Sequence, residues 1–231
     1  MAVTVTSLLD RQIYLYSEVD HLVGLRSGTA RRWINGYTRS GRDYAPILRE
    51  QPQTTEWVTW GEFVETRILA EYRDQKSVPT AHLRAAVFTL REQFGLEYPL
   101  ATMRPYLVAG SEGLEMDRQA VEGVDGRLVV HTGQLILSDG LPVMERAVLA
   151  ETESGDQIAE QLTDGEFPGI VMHPARFGGQ PTFLGRRVSV ATIAGMVADG
   201  DPAEAVAADY GLSIAEVRSA IAYAAQHRLS A

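Results

Sequence analysis

Apolar residues recur at helical spacing in several stretches of this chain and at strand-like spacing in shorter ones, and the punctuation between them divides it into four zones. In the first, residues 1–50, Val19, Leu22 and Val23 give a helix one apolar face, with Ser17 as its expected N-cap and Asp20 three residues on. Gly24 ends that helix and Leu25 is the expected buried turn position. Ser27 is a second N-cap candidate, Thr29 to Ile34 a short second helix, and Asn35-Gly36 its stop. Tyr37 to Tyr44 reads as a ribbon turning at Ser40-Gly41, with Arg39 and Arg42 on either side of the tip.

The second zone, residues 51–104, opens with the polar linker QPQTT. A capping box at Thr59 and Glu62 then starts a helix with Trp60, Phe63, Val64, Ile68 and Tyr72 on one stripe. Lys76 to Pro79 breaks the chain, and a second helix from Thr80 repeats the stripe at Leu83, Ala86, Val87, Leu90 and Phe94. In the third zone, 105–168, the period shortens. Leu128–His131 and Gln134–Leu137 flank Thr132-Gly133 as a hairpin, Pro105–Ala109 adds a strand, and the acidic stretch Glu151–Phe167 reads as a surface helix or a linker. The fourth, 169–231, predicts three helices. Ser189 caps the first, Asp201-Pro202 opens the second, and a capping box at Ser213 and Glu216 opens the third, which carries Ile214, Val217, Ile221 and Ala224. The expected fold class is mainly α with a small β component: an N-terminal winged helix-turn-helix, a helical middle with a short sheet, and a C-terminal trihelical module.

Charge changes this picture more than composition does. The chain has a net charge of -9, which argues against a nucleic-acid partner on average. Residues 26–49, however, hold six arginines, Arg26, Arg31, Arg32, Arg39, Arg42 and Arg49, against the single acid Asp43. A basic module is joined to an acidic body. The absence of cysteine excludes disulfides, thiolate metal sites and cysteine nucleophiles. The N-terminal MAVTVTSLLDRQIY has no basic leader followed by an apolar core, and no apolar run is long enough to span a bilayer, so the expected location is cytoplasmic, with no membrane contact.

A helix entering the major groove reads bases with its early side chains while neighbouring elements hold phosphates. The run YSEVDHLVGLRSGTARRWINGYTRSGRDY, with its tight turn, buried leucine, arginine followed by tryptophan, and ribbon, resembles MerR-like winged helix-turn-helix regulators. That resemblance implies DNA contacts by Ser17, Thr29, Arg31, Arg32, Tyr37, Arg39 and Arg42, with Trp33 and Ile34 turned inward. The chain departs from that pattern in having no cysteine and no long C-terminal heptad helix, which leaves metal sensing by the family's usual means without a basis.

The fourth zone carries Gly178, Gly179, Pro181, Gly185, Arg187, Val190, Gly200, Ala220, Tyr223 and Ala224 at spacings that resemble a small bacterial domain of unknown function. That domain occurs in antitoxins encoded beside PIN-like ribonuclease toxins, and its pairing with an N-terminal MerR-like unit resembles the longer VapB-type antitoxins. The resemblance implies a type II antitoxin that neutralises a PIN-like ribonuclease toxin and represses its own promoter on double-stranded DNA. Arg176, Arg186 and Arg187 are the toxin-contact candidates, and the alanine-rich last helix suits a homodimer through the C-terminal module. The alternative is a stand-alone MerR-like regulator with a small molecule held by Trp60, Phe63, Tyr72 and Phe94. His21, His82, His131, His173 and His227 are scattered, and Gly178-Gly179 lacks the lysine and serine of a phosphate loop. No catalytic residue, metal or cofactor is expected.

Overall fold

The computed structural model describes residues 6–76, 80–102, 107–110, 113–117, 127–129, 146–152 and 155–229. The architecture is mixed and mostly helical, with small antiparallel sheets. After a helical turn α1 (Thr6–Leu9), strand β1 (Gln12–Leu15) runs directly into helix α2 (Tyr16–Val23), followed by α3 (Thr29–Asn35). Strands β2 (Tyr37–Arg39) and β3 (Arg42–Tyr44) form a hairpin of their own. Its two-residue turn places Ser40 at φ 52 and Gly41 at φ 73, the doubly left-handed geometry that matches strand twist in a tight hairpin.

Strand β4 (Trp57–Thr59) returns to pair antiparallel with β1, burying Tyr14 opposite Val58. Helix α4 (Trp60–Lys76) starts at once, with the predicted capping box made: Thr59 N–H donates to Glu62 Oε2 at 2.9 Å and Glu62 N–H to Thr59 Oγ1 at 3.2 Å. Helices α5 (Thr80–Phe94) and α6 (Pro99–Thr102) follow. The predicted stripes are core: Trp60, Phe63, Val64 and Ile68 on α4, and Leu83, Ala86, Val87 and Leu90 on α5, are fully buried.

A meander of β5 (Leu107–Gly110), β6 (Gly113–Asp117) and β7 (Arg127–Val129) comes next. The strand expected near Pro105–Ala109 is therefore present as β5. Of the hairpin expected at 128–137, Leu128 and Val129 lie in β7 and the rest falls outside the described residues. The stretch Glu151–Phe167 is neither helix nor linker. Strands β8 (Val148–Glu151), β9 (Gln157–Thr163), β10 (Ile170–Met172) and β11 (Thr182–Phe183) form one sheet in the order β11-β10-β9-β8. Its charges hid a strand because the burial of Ile158, Ala159 and Leu162 is supplied from elsewhere: Trp60 on α4 lies against β9 and donates its indole N–H to Ala159 O at 2.7 Å.

Three helices close the chain, α7 (Val190–Ala198), α8 (Ala203–Tyr210) and α9 (Ile214–His227). Ser189 caps α7 through Thr192 N–H, and the Ser213–Glu216 capping box opens α9. One apolar cluster runs from Leu8 to Met172 and unites α2 and α3 with α4, α5 and β9, while a second joins Ile170 and Phe183 to α7, α8 and α9. Leu229 touches both.

Candidate nucleic-acid interface

The unit from Tyr16 to Tyr44 is held by its polar residues in a way the sequence pattern did not anticipate. Ser17 does not cap α2. It is exposed in the first turn, and Leu15 is the N-cap residue, its N–H donating to Glu18 Oε2 at 2.7 Å. Asp20, expected to complete that box, is instead buried and serves the next helix, accepting from Gly28 N–H at 2.6 Å and Ala30 N–H at 2.7 Å. One carboxylate thereby supplies the acceptor that Ser27 was expected to provide, and clamps the start of α3 to α2. Gly24 closes α2 in a left-handed conformation, Leu25 is buried, and Gly36 closes α3 where a Cβ would stand 2.5 Å from Tyr44 O. Only glycine fits there, and that fit sets the hairpin against the end of α3.

With the clamp in place, Ala30, Trp33 and Ile34 face the core and Arg31 and Arg32 face out. Thr29 is buried, and its hydroxyl accepts from Arg32 Nη2 at 2.9 Å, so it sits behind Arg32 rather than at the surface. Arg31 pairs with the exposed Glu56 at 2.9 Å and lies 5.4 Å above the Tyr16 ring. On the hairpin, the exposed Tyr37 stacks on Tyr44 with centroids 4.6 Å apart, and Thr38 donates to Asp43 at 2.6 Å. Arg39 and Arg42 are direct cross-strand partners at the tip, and no carboxylate among the described residues pairs with either. Like charges set opposite each other are unfavourable unless an anion comes between them.

Arg49 belongs to the basic segment by sequence but not by surface. It is buried, with Nε 2.5 Å from Glu62 Oε1, Nη1 donating to Tyr16 Oη and Asn35 Oδ1, and Nη2 donating to Trp57 O. Burial opposes its charge, and the Glu62 carboxylate more than offsets that, holding its pKa above the ordinary arginine value. The exposed cations of the unit are thus Arg26, Arg31, Arg32, Arg39 and Arg42.

The three arginines of the glycine-rich segment are all exposed but are not one cluster. The β10–β11 ladder pairs Ile170 with Phe183 and Val171 with Thr182, so Arg176 leaves from one end and Arg186 with Arg187 from the other. At the Arg176 end, Phe177, Gly178 and Gly179 form a short left-handed turn, with φ of 47, 59 and 80. The Tyr14 hydroxyl donates to Gly179 O, and a Cβ on Gly179 would stand 2.6 Å from Ile13 Cδ1 and from Tyr14 Oη. Gln180 Nε2 donates to Glu18 Oε1 at 3.2 Å, and the ring Nδ1 of His227 lies 3.0 Å from His21 O. Among the described residues, no three His, Asp or Glu side chains converge on a metal site, and no helix is long and apolar enough to cross a membrane.

Residues 170–224, spanning β10 to α9, match the family described as DUF433, a protein of unknown function. Over 228 residues the chain is 50% identical to the uncharacterized protein Rv2308 of Mycobacterium tuberculosis, covering 98% of this chain and 96% of that one. The chain belongs to the Rv2308 family. A more distant relative in the same organism, named "Putative antitoxin VapB45", is 25% identical over 228 residues, 92% of this chain and 93% of that one. The fold resembles the crystal structure of Rv2018 from M. tuberculosis, with a TM-score of 0.58 at 19% identity, covering 92% of this chain and 99% of that chain.

The glycines Gly178 and Gly179 that marked the C-terminal resemblance lie within the DUF433 match, and Gly179 sits against β1, the strand that leads into α2. Trp60 and Phe63, the described members of the ligand pocket considered from sequence, are fully buried core residues, and the side chains of Tyr72 and Phe94 fall outside the description.

Proposed function

We propose that this protein is a DNA-binding antitoxin of a type II toxin–antitoxin pair, using Tyr16–Tyr44 as a winged helix-turn-helix to repress its own promoter. The observation that carries the DNA half is the Arg39–Arg42 pair at the hairpin tip, opposed across the strands without a carboxylate, on the same unit as the outward-facing Arg31 and Arg32. In this reading α3 enters the major groove, Arg31 and Arg32 meet base edges, Thr29 holds Arg32 in place, and Ser17, Tyr37, Arg39 and Arg42 contact the backbone. The antitoxin half rests on the 25% identity to the protein named as an antitoxin across nearly the whole chain. The partner is a PIN-like ribonuclease, met by Arg176 at one end of the β10–β11 ladder or by Arg186 and Arg187 at the other, and α7–α9 form a homodimer that gives the readers paired half-sites. The protein acts in the cytoplasm, without metal or cofactor and without enzymatic activity of its own.

The test uses the full chain. A duplex covering its own promoter should bind more tightly than a scrambled duplex of equal composition, and co-expression with the protein encoded beside it should yield a co-purifying complex that has lost ribonuclease activity. Equal binding to both duplexes refutes the repressor; an untouched, fully active neighbour refutes the antitoxin.

A further inference from the structure

Arg31 is held by a residue outside the helix-turn-helix. Glu56 lies in the segment that returns from the hairpin to α4, and its Oε2 meets Arg31 Nη1 alone, at 2.9 Å. Exposed ion pairs are usually loose, but the backbone on both sides of Glu56 is tied down. Thr55 O accepts from the Tyr16 hydroxyl at 3.3 Å, Thr55 Oγ1 accepts from Trp57 N–H at 3.0 Å, and Trp57 O accepts from the buried Arg49 at 2.9 Å. Trp57 is also the register partner of Leu15, the residue that caps α2. The carboxylate therefore stands on a fixed strut. The Arg31 guanidinium is confined further by the Tyr16 ring beneath it.

A guanidinium has five N–H donors, and a contact through Nη1 leaves the Nε–Nη2 edge free. That edge can grip guanine O6 and N7 together. The carboxylate also places a negative charge where a DNA phosphate would otherwise approach Arg31, and repels it. Resting on the DNA-binding reading, we infer that Glu56 is a positioning residue for sequence discrimination: it presents Arg31 to a base and withholds it from the phosphate backbone. Its removal should move specific and non-specific affinity in opposite directions, which simple loss of stability would not do.

The experiment begins with selection of preferred duplexes from a randomised pool by the full-length wild type. The best duplex and a scrambled one are then titrated at one fixed salt concentration with wild type, Glu56→Ala, Glu56→Gln, Arg31→Ala and the Arg31→Ala/Glu56→Ala double variant. Glu56→Ala should weaken the selected duplex about fivefold, because Arg31 must then be ordered on binding, and strengthen the scrambled duplex about twofold by removing a like charge from the backbone. Glu56→Gln keeps a hydrogen-bond partner without the charge, so it should show the non-specific gain with a smaller specific loss. In the Arg31→Ala background the specific loss from Glu56→Ala should vanish. Circular dichroism reports whether Glu56→Ala is folded, and Glu56→Gln carries the test if it is not. An unchanged ratio of selected to scrambled affinity in these variants, or a specific loss that persists without Arg31, overturns the role of Glu56 alone. A wild type that selects no sequence overturns the DNA reading together with it.

Discussion

Arg49 offers a sharp separation of a structural cation from a surface one. Its side chain is 4% exposed and that of Glu62 6%, and its guanidinium makes five hydrogen bonds, two to Glu62 and one each to Tyr16, Asn35 and Trp57 O. Arg49→Leu leaves Glu62 buried without its counter-charge, a change that costs about 3–5 kcal/mol in comparable sites. Glu62 keeps the Thr59 N–H as a donor, so the lower end, about 3 kcal/mol, is expected. For a chain of this size that corresponds to a melting temperature lower by roughly 6–12 °C. Replacing both partners, Arg49→Leu with Glu62→Leu, removes the orphaned charge and should recover much of the loss, less the broken cap of α4. Thermal and urea unfolding followed by tryptophan fluorescence measure both changes. Because Arg49 faces no solvent, the same substitution should leave the salt dependence of DNA binding unchanged in whatever fraction remains folded. A loss below about 1 kcal/mol, or a salt slope lowered as for an exposed arginine, would refute the reasoning.

Arg39→Ala and Arg42→Ala should each lower the slope of log K against log salt by about 0.9, the signature of one lost phosphate contact, with little effect on unfolding. Gly179→Ala should lose about 2–3 kcal/mol in thermal melts, since its Cβ meets Ile13 and Tyr14 and its φ is +80, whereas Gly178→Ala, with open space around it, should lose about 1. Glu65 is fully buried on α4, and burial pushes its carboxyl up to about 8, against the opposing Leu100 N–H at 2.9 Å. A group whose pKa is raised on folding stabilises most below its unfolded value and loses that contribution as pH rises through about 8. Wild-type stability should therefore fall by about 1.4 kcal/mol per pH unit across this window relative to Glu65→Gln, and parallel urea midpoints for the two proteins at pH 5 and pH 8 would sink the argument.

The elements that were legible in the sequence are those whose signals are local. The Thr59–Glu62 and Ser213–Glu216 boxes, the Ser189 cap, the Ser40-Gly41 turn and the described members of the α4 and α5 stripes each depend on residues within a few positions of one another, and the structure has each of them. What failed depended on partners far along the chain. Asp20 and Ser17 fit a capping box by spacing, but a competing acceptor, Glu18, reaches Leu15 N–H and frees Asp20 for α3. Arg49 counted as surface charge because its neutralising acid comes from α4. Strand β9 looked too polar because its cover comes from Trp60, 99 residues earlier. No periodicity in a local window encodes such contacts. Arg176 and the Arg186–Arg187 pair are near neighbours in sequence, and the register of a two-residue ladder separates them.

That separation bears on how the two halves of the proposed function would communicate. The Arg176 end of the ladder is joined to the proposed DNA-binding unit through contacts that converge on a few residues. Gly179 receives Tyr14, Gln180 reaches Glu18, and Leu15 between them caps α2 and pairs with Trp57 beside Glu56. A side chain on Gly179 would meet Ile13 and Tyr14, so this turn is in direct contact with β1. Arg186 and Arg187 leave from the opposite end of the ladder. On the proposed reading, a partner bound at Arg176 would touch the turn that packs against β1, the strand leading into the unit that carries Arg31. Gly179, within the matched C-terminal segment, is in physical terms the place where that segment fits against β1, the strand that leads into α2.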